Sequence, residues 1–163
     1  MELLEQLDEK LKTLHYSEAD RHGIPNVSFV SYIKNPQTFK VRNLCAVLDL
    51  PDDTTDQKTA QRFFDFVRKS LLDKYGEALL WKELEVSLVI ICGHELFEIV
   101  YKKDGKMIHE PSFAMSSIMG ACFIDRQTYD HISYHTFGLF FSSDHFKAID
   151  AVVTQFCNKQ KNP

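Results

Sequence analysis

Three histidines near the carboxyl end have the spacing of a ligand set. His131 and His135 lie four residues apart, which places two side chains on one face of either a strand or a helix, and His145 follows further on. Asp130 and Asp144 could complete a zinc or iron site, because imidazole and carboxylate are common ligands of these metals. The favoured alternative is a set of polar residues at the start and on the solvent side of a core-forming strand, so neither a metal nor a cofactor is predicted.

A cysteine and a histidine stand close together in the middle of the chain. Cys92 ends an apolar run, and His94 follows it after one glycine. A nucleophilic cysteine needs a neighbouring base or positive charge to lower the pKa of its thiol, and His94 is a candidate for that base. Cys92 and His94 are therefore the candidates for nucleophilic catalysis. The favoured alternative is that all four cysteines, Cys45, Cys92, Cys122 and Cys157, are buried and inert.

The common catalytic motifs are missing from the chain. Its six glycines are scattered, so they form neither a nucleotide-binding fingerprint nor a phosphate-binding loop. No serine lies in a G-x-S-x-G elbow, and the histidine–glutamate dipeptides lack the second histidine of a zinc helix. These absences disfavour a nucleotide-dependent enzyme and a serine hydrolase, but they leave open whether the protein is an enzyme at all.

Phenylalanine dominates the aromatic content, with 13 Phe against 6 Tyr and 1 Trp. Phe140 and Phe141 are neighbours, and neighbours on a strand point to opposite faces of the sheet. One of them therefore needs a second cover, which a helix, a ligand or a partner subunit could provide. The uncharged segment from Pro111 to Ile124 poses the same question. The predicted ligand or interface residues are Phe113, Met115, Met119, Phe123, Phe140 and Phe141.

Hydrophobic periodicity predicts the elements that position these residues. Leucines at spacings of three and four indicate an amphipathic amino-terminal helix, and strict alternation after Pro25 indicates a strand. Asp104-Gly105 is the strongest hairpin signal in the chain. The predicted helices are 2–14, 54–75 and a final helix that begins at 142–144. The predicted strands are 27–33, 39–50, 84–92, 96–101, 107–110, 118–124 and 132–141.

This order of elements predicts an α+β fold. Hairpins between consecutive strands favour a single antiparallel sheet of five to seven strands, with the helices packed mainly on one face. The predicted order is α-β-β-α-β-β-β-β-β-α. No linker or repeat divides the chain, so residues 1–163 are expected to form a single domain with a polar carboxyl-terminal tail at 158–163.

The charge distribution and the targeting features limit the kinds of partner and the compartment that we expect. The formal net charge is −4, and the densest basic cluster, Lys102, Lys103 and Lys106, is interrupted by Asp104. Nucleic acids and anionic membranes attract clustered Lys and Arg, so neither is an expected partner. The acidic amino terminus does not resemble a signal peptide, and unpaired cysteines are typical of reduced compartments. We therefore expect a cytoplasmic protein.

These observations favour a non-enzymatic binding or protein-interaction module that forms a homodimer, or binds another protein, through an apolar face. The alternative is an enzyme or a small-ligand sensor with a pocket lined by His and Cys or by Phe and Met. The residue types and their spacing do not decide between these two classes.

Overall fold

The residues that the structure describes form a mixed sheet of six strands, which lie side by side in chain order. The computed structural model describes residues 2–18, 26–34, 41–56, 58–59, 62, 70, 85–102, 117–135 and 144–162. The elements in these ranges are α1 (Glu2–Thr13), β1 (Ser17–Glu18), β2 (Val27–Lys34), β3 (Val41–Asp49), β4 (Glu85–Cys92), α2 (His94–Lys102), β5 (Ser117–Asp125), β6 (His131–His135) and α3 (Asp144–Lys161).

The strand directions agree with an α+β class but correct the predicted single antiparallel sheet. Strands β1, β2 and β3 pair antiparallel, as do β5 and β6, whereas β3–β4 and β4–β5 are parallel pairs. A parallel pair requires a long crossover connection. The chain has room for one between Asp49 and Glu85 and for another between Cys92 and Ser117. These long connections permit the two parallel strand pairs at the centre of the sheet. The prediction assumed hairpins between consecutive strands and therefore missed them.

Helices cover both faces of the sheet, so the prediction that they pack mainly on one face holds only for α1 and α3. Strand β3 illustrates the division: Cys45 and Val47 contact the α1–α3 layer, and Leu44 and Leu48 belong to the core on the side of α2. All four of these side chains are completely buried. Apolar residues on both faces of a strand are typical of a sheet that is covered on both sides.

Several predicted elements are confirmed. The amino-terminal helix ends at Thr13 instead of Leu14, and the strands at 27–33 and 39–50 form the expected antiparallel pair β2–β3. The last helix buries Phe146, Ile149 and Val153 along one stripe, as its periodicity predicts. Most of the predicted helix at 54–75 lies outside the described residues.

The predicted strand at 96–101 is wrong, because these residues belong to helix α2. Leu96, Phe97 and Val100 are buried together, which is helical spacing, while Tyr101 is 57% exposed. The helix starts after Gly93, whose carbonyl oxygen accepts a hydrogen bond from the Phe97 N–H at 3.1 Å. The nearby Asp104-Gly105 dipeptide favoured a hairpin, but burial of the segment on one side is that of a helix. The other predicted arm, 107–110, lies outside the described residues.

A bilayer span requires a helix of about 20 mostly apolar residues. No helix in the described ranges combines that length with that apolarity.

Candidate functional site

The carboxyl ends of the three parallel strands meet at one edge of the sheet. Two backbone hydrogen bonds join these ends, from the Leu50 N–H to the Ile91 carbonyl and from the Arg126 N–H to the Cys92 carbonyl, both at 2.9 Å. In sheets with parallel strands, this edge is where ligands usually bind, because the chain leaves each strand there in a loop or a helix start. A ligand site is therefore expected at this edge.

A cleft of about 540 Å³ opens at this edge. Its size falls within the range of about 300–1,000 Å³ that is usual for small-molecule sites. Most of its lining comes from the segment after β3, the start of α2 and the turn after β5. The lining residues are Asp52, Thr54, Thr55, Gly93, His94, Glu95, Leu96, Arg126 and Gln127. We call this the carboxyl-edge cleft.

One side of the cleft carries a histidine–aspartate pair. The His94 Nδ1 lies 2.6 Å from the Asp125 Oδ2, with the imidazole 47% exposed and the carboxylate completely buried. The Asp125 carboxylate also accepts a hydrogen bond from the Gln127 N–H at 2.8 Å and lies 3.0 Å from the Thr128 hydroxyl. Asp125 is the last residue of β5, where an aspartate can accept hydrogen bonds from the turn that follows. The turn and the imidazole thus hold the carboxylate in place.

These contacts determine how the pair is protonated. An ionised carboxylate only accepts hydrogen bonds, so the Nδ1 of His94 carries the proton and its Nε2 is left for a ligand. The hydrogen bond to Asp125 raises the pKa of His94 above its usual range. Burial alone would raise the pKa of Asp125, but its hydrogen bonds to His94, Gln127 and Thr128 hold that pKa below its usual range. In the ranges that the structure describes, the Nε2 of His94 has no protein partner.

The pair predicts a pH dependence that nuclear magnetic resonance can measure. The protonation midpoint of His94 should lie above the usual value of about 6.5, and Asp125→Asn should move it down. Because the folded-state pKa of His94 is raised, the stabilisation that comes from protonation of His94 is fully present below about pH 6.5 and is lost as the pH rises through the folded-state pKa. The ring signals of the exposed His15 serve as the reference in the same sample. An unchanged His94 midpoint in Asp125→Asn would contradict the pairing.

An arginine ties two strand ends together next to this pair. The Arg126 guanidinium forms ion pairs with Asp49 and Asp52 and donates a hydrogen bond to the Leu50 carbonyl at 2.6 Å. It thereby links the turn after β5 to the segment after β3. The arginine holds one wall of the cleft, and its charge is already shared by two carboxylates.

The structure brings His94 to Asp125 rather than to Cys92. The Cys92 thiol is buried and lies 3.7 Å from the Ile124 carbonyl oxygen, which accepts its weak hydrogen bond. Burial, together with the nearby Asp125 charge, raises the pKa of Cys92 to about 12. A thiol in this environment is held in the protonated form, whereas a nucleophile needs the thiolate.

The three carboxyl-terminal histidines have separate surroundings. His131 places its Nε2 3.1 Å from the Thr154 hydroxyl, and the ring of His145 lies 5.5 Å from that of Tyr16. The side chain of His135 lies outside the described residues. In the part of the chain that the structure describes, no group of three or more His, Cys, Asp or Glu side chains is arranged to hold a metal ion.

The predicted ligand or interface residues mostly fall outside the described ranges. This applies to Phe113, Met115, Phe140 and Phe141, and to the side chain of Met119. Phe123 is completely buried in the core on the side of α2, where its ring meets Tyr134 edge to face at 6.2 Å. The predicted apolar interface therefore stays a prediction.

Sequence reasoning found His94 but missed its partner. Asp125 and Arg126 come directly after the apolar run of β5, but no motif in the sequence singles them out. The register that makes Cys92 and Asp125 cross-strand partners places His94 two residues beyond that pair. The available signal was a charged residue at the end of a strand that is apolar on both faces. This signal indicates a site only once the strands are known to be parallel.

The fold and the site together define an α+β protein with a ligand-sized cleft at the carboxyl edge of a mixed sheet. Comparisons with protein-family models, with curated proteins and with solved structures found no match for this chain. Any function must therefore be inferred from the geometry of the cleft itself.

Proposed function

We propose that the protein binds a small polar molecule in the carboxyl-edge cleft and that His94 exchanges a proton with it. The observation that carries this proposal is the 2.6 Å contact between the half-exposed His94 imidazole and the fully buried Asp125 carboxylate. A carboxylate at Nδ1 holds the imidazole in one orientation and one tautomer, and it stabilises the imidazolium that forms when Nε2 takes a proton. Such a pair is suited to general acid–base catalysis.

The surroundings of the pair support a chemical role over a structural one. The polar atoms of a buried structural side chain are usually bonded to the protein or to ordered water. Here one nitrogen is bonded, and the ring lines a cleft together with hydroxyl, amide and carboxylate groups. An imidazole can both accept and return a proton, which is the requirement for acid–base catalysis.

Diethyl pyrocarbonate tests this function, because it acylates neutral imidazoles at an available nitrogen. In the wild-type protein, we expect the modification rate of His94 to rise with pH through its titration. In Asp125→Asn, we expect that rate to fall at least about threefold at high pH, since the carboxylate makes Nε2 more basic. Peptide mass spectrometry measures the rate at each histidine, and His15 provides the exposed reference in the same sample.

A fragment screen by amide chemical shift completes the test. Fragments that bind should perturb the amides of Gly93, Glu95 and Gln127 and should protect His94 from modification. A His94 that reacts no faster than His15 at any pH, or fragments that bind only elsewhere, would refute the proposal. Binding that is unaffected by His94→Gln, with no turnover of any bound compound, would point to the small-ligand sensor instead.

The interaction module predicted from composition rests on residues outside the described ranges. Within those ranges, both sheet faces are covered by helices, and Tyr101 is the one large hydrophobic side chain that is exposed. Homodimerisation through Phe113, Phe140 and Phe141 and a cytoplasmic location stay predictions, and the cleft carries the functional proposal.

A further inference from the structure

We propose that the molecule bound in the carboxyl-edge cleft carries a carboxylate, which is held by the start of α2 and by the hydroxyl of Thr54. This inference rests on the proposed function, because it names the class of ligand for the same cleft. Two independent observations carry it, and both concern groups that line this cleft. One is a helix start without a side-chain cap, and the other is a buried hydroxyl without a partner.

The start of α2 forms one wall of the cleft. Gly93 is the N-cap of this helix, because its carbonyl oxygen accepts the first helical hydrogen bond, from the Phe97 N–H. A glycine has no side chain to cap the first turn, and in the described part of the chain the N–H groups of Glu95 and Leu96 meet no acceptor. A Cβ at Gly93 would meet nothing within 4 Å, so the space beside the cap is open. Such a helix start attracts an anion through its N–H groups and its dipole.

The hydroxyl of Thr54 is a second donor that faces the same cleft. Thr54 lines the cleft although the residue is only 4% exposed. Its N–H donates to the Pro51 carbonyl oxygen at 3.0 Å, whereas its hydroxyl has no hydrogen-bond partner among the described residues. The fully enclosed side-chain atoms without a partner in these ranges are the Nδ1 atoms of His131 and His145, so the Thr54 hydroxyl keeps access to the cleft. Buried hydroxyls are usually hydrogen-bonded, and a bound acceptor would satisfy this one.

The sheet brings these two sets of donors together. The hydrogen bond from the Leu50 N–H to the Ile91 carbonyl oxygen, at 2.9 Å, holds the segment after β3 beside the end of β4. Thr54 follows Leu50 in the first of these segments, and Gly93 follows Ile91 in the second. A carboxylate only accepts hydrogen bonds and has two oxygens, so one can accept from the helix start and the other from the hydroxyl.

The charges around the cleft favour a ligand with a single negative charge. The guanidinium of Arg126 is already engaged by Asp49 and Asp52, so it is not the anchor. The Nε2 of protonated His94 adds an N–H donor at the cleft. The carboxylate of Glu95 is exposed beside the helix start and repels negative charge. A carboxylate therefore fits this site better than a doubly charged phosphate, because repulsion grows with the charge of the ligand.

Four probes with the same butyl chain separate the chemistry of the head group from the shape of the ligand. We would titrate butyrate, butyl phosphate, butan-1-ol and butylammonium into the protein and follow the amides of Glu95 and Leu96 by nuclear magnetic resonance. Butyrate should bind at least about tenfold more tightly than the alcohol or the ammonium and about threefold more tightly than the phosphate. Both amide protons should shift downfield with butyrate, because they donate to its carboxylate.

A matched pair of threonine variants assigns the binding to the cleft. Thr54→Val should weaken butyrate binding about fivefold to tenfold, since it removes a hydrogen bond to a charged group. Its melting temperature should stay the same or rise, because the lost hydroxyl has no partner in the described protein and the new methyl group keeps the shape. Thr13→Val changes an exposed threonine of α1, away from the cleft, and should leave the affinity unchanged.

A third variant tests the charge. Glu95→Gln should bind butyrate at least about threefold more tightly than the wild type, because it removes the negative charge beside the helix start. It should also narrow the preference for butyrate over butyl phosphate. An affinity for butyrate that falls in this variant would contradict an anion site. Circular dichroism of all three variants verifies that the fold is retained.

The outcomes separate this inference from the function on which it rests. Another probe that binds in the cleft as tightly as butyrate overturns the carboxylate class. Butyrate that binds outside the cleft, binds nowhere, or binds equally well to Thr54→Val also overturns it, and so does a lower melting temperature of Thr54→Val, which would assign the hydroxyl to the fold. Failure of the acid–base role shows separately, as an unreactive His94 in the modification experiment.

Discussion

Asp125→Ala should lower the free energy of unfolding by about 3 kcal/mol, because it removes a fully buried carboxylate that accepts the hydrogen bonds at the end of β5. The lost carboxylate accepts hydrogen bonds from the Gln127 N–H and from the Nδ1 of His94, and it also contacts the Thr128 hydroxyl. A hydrogen bond to a charged group contributes about 1.5–3 kcal/mol. Water can replace the carboxylate at the exposed His94, and the Thr128 hydroxyl also contacts Asp130, so we expect a total near the value of one or two such bonds. Urea unfolding with an unchanged denaturant slope measures the loss, which corresponds to a fall in melting temperature of about 10 °C.

The control for this substitution is another charged aspartate that pairs in a different setting. Asp8 forms an ion pair with Lys12 at 2.5 Å on the solvent side of α1. Asp8→Ala should cost no more than about 0.5 kcal/mol, because exposed pairs one helical turn apart contribute little. Equal losses for the two variants would mean that the turn at the end of β5 is supported by something other than the Asp125 carboxylate.

Asp125→Asn separates the contribution of Asp125 to stability from its contribution to proton transfer. An asparagine side chain keeps the shape and one acceptor oxygen, so most of the stability should remain. The negative charge that holds the imidazole in its tautomer is lost, however, and a proton-transfer activity at His94 should fall by at least about 100-fold. A variant that is folded and binds ligands but is catalytically slow would be the strongest support for the pair. Full activity in this variant would assign Asp125 to the fold alone.

Gly120→Ala is the second substitution with a large expected effect. An added Cβ at this position in β5 would lie 2.6 Å from the Phe146 Cδ2, with two further ring carbons nearer still. Phe146 is completely buried in the layer between the sheet and α3, so the ring cannot move out into solvent without leaving this core. Overfilling a packed core costs about 1–3 kcal/mol, and we expect a loss of about 2–3 kcal/mol in urea unfolding.

A second glycine provides the comparison. A Cβ at Gly93 meets nothing within 4 Å, so Gly93→Ala should cost less than about 1 kcal/mol, mainly through the poorer helix cap. The double variant Gly120→Ala/Phe146→Leu should be less destabilised than the sum of its single changes, because the smaller side chain makes room for the methyl group. Strict additivity, or a Gly120→Ala protein as stable as the wild type, would show that the ring does not fill this space.

Hydrophobic periodicity predicted the elements in which the repeat of apolar residues is long enough to be recognised from the sequence. The leucine stripe of α1 and the stripe of α3 each repeat with a helical period, so their positions could be derived before any contact was known. The alternation in β2 located the strand but not its faces, because a register shift places Val27 and Phe29 on opposite sides of the sheet. The six residues at 96–101 are too short for this test, because their apolar content fits a strand as well as a helix. Burial of Leu96, Phe97 and Val100 on one side resolved the ambiguity.

The sequence by itself determined the class of fold, most of the described helices and strands and one member of the candidate site, His94. The tertiary structure alone decided that β3, β4 and β5 are parallel and that helices cover both faces of the sheet. It also decided that His94 meets Asp125, 31 residues further along the chain, through the register of β4 and β5. The physical reason is that hydrophobic periodicity reports which face of an element is buried, whereas strand direction and register depend on the crossovers that join the strands. A site built from the ends of several strands therefore becomes visible only when those strands are assembled.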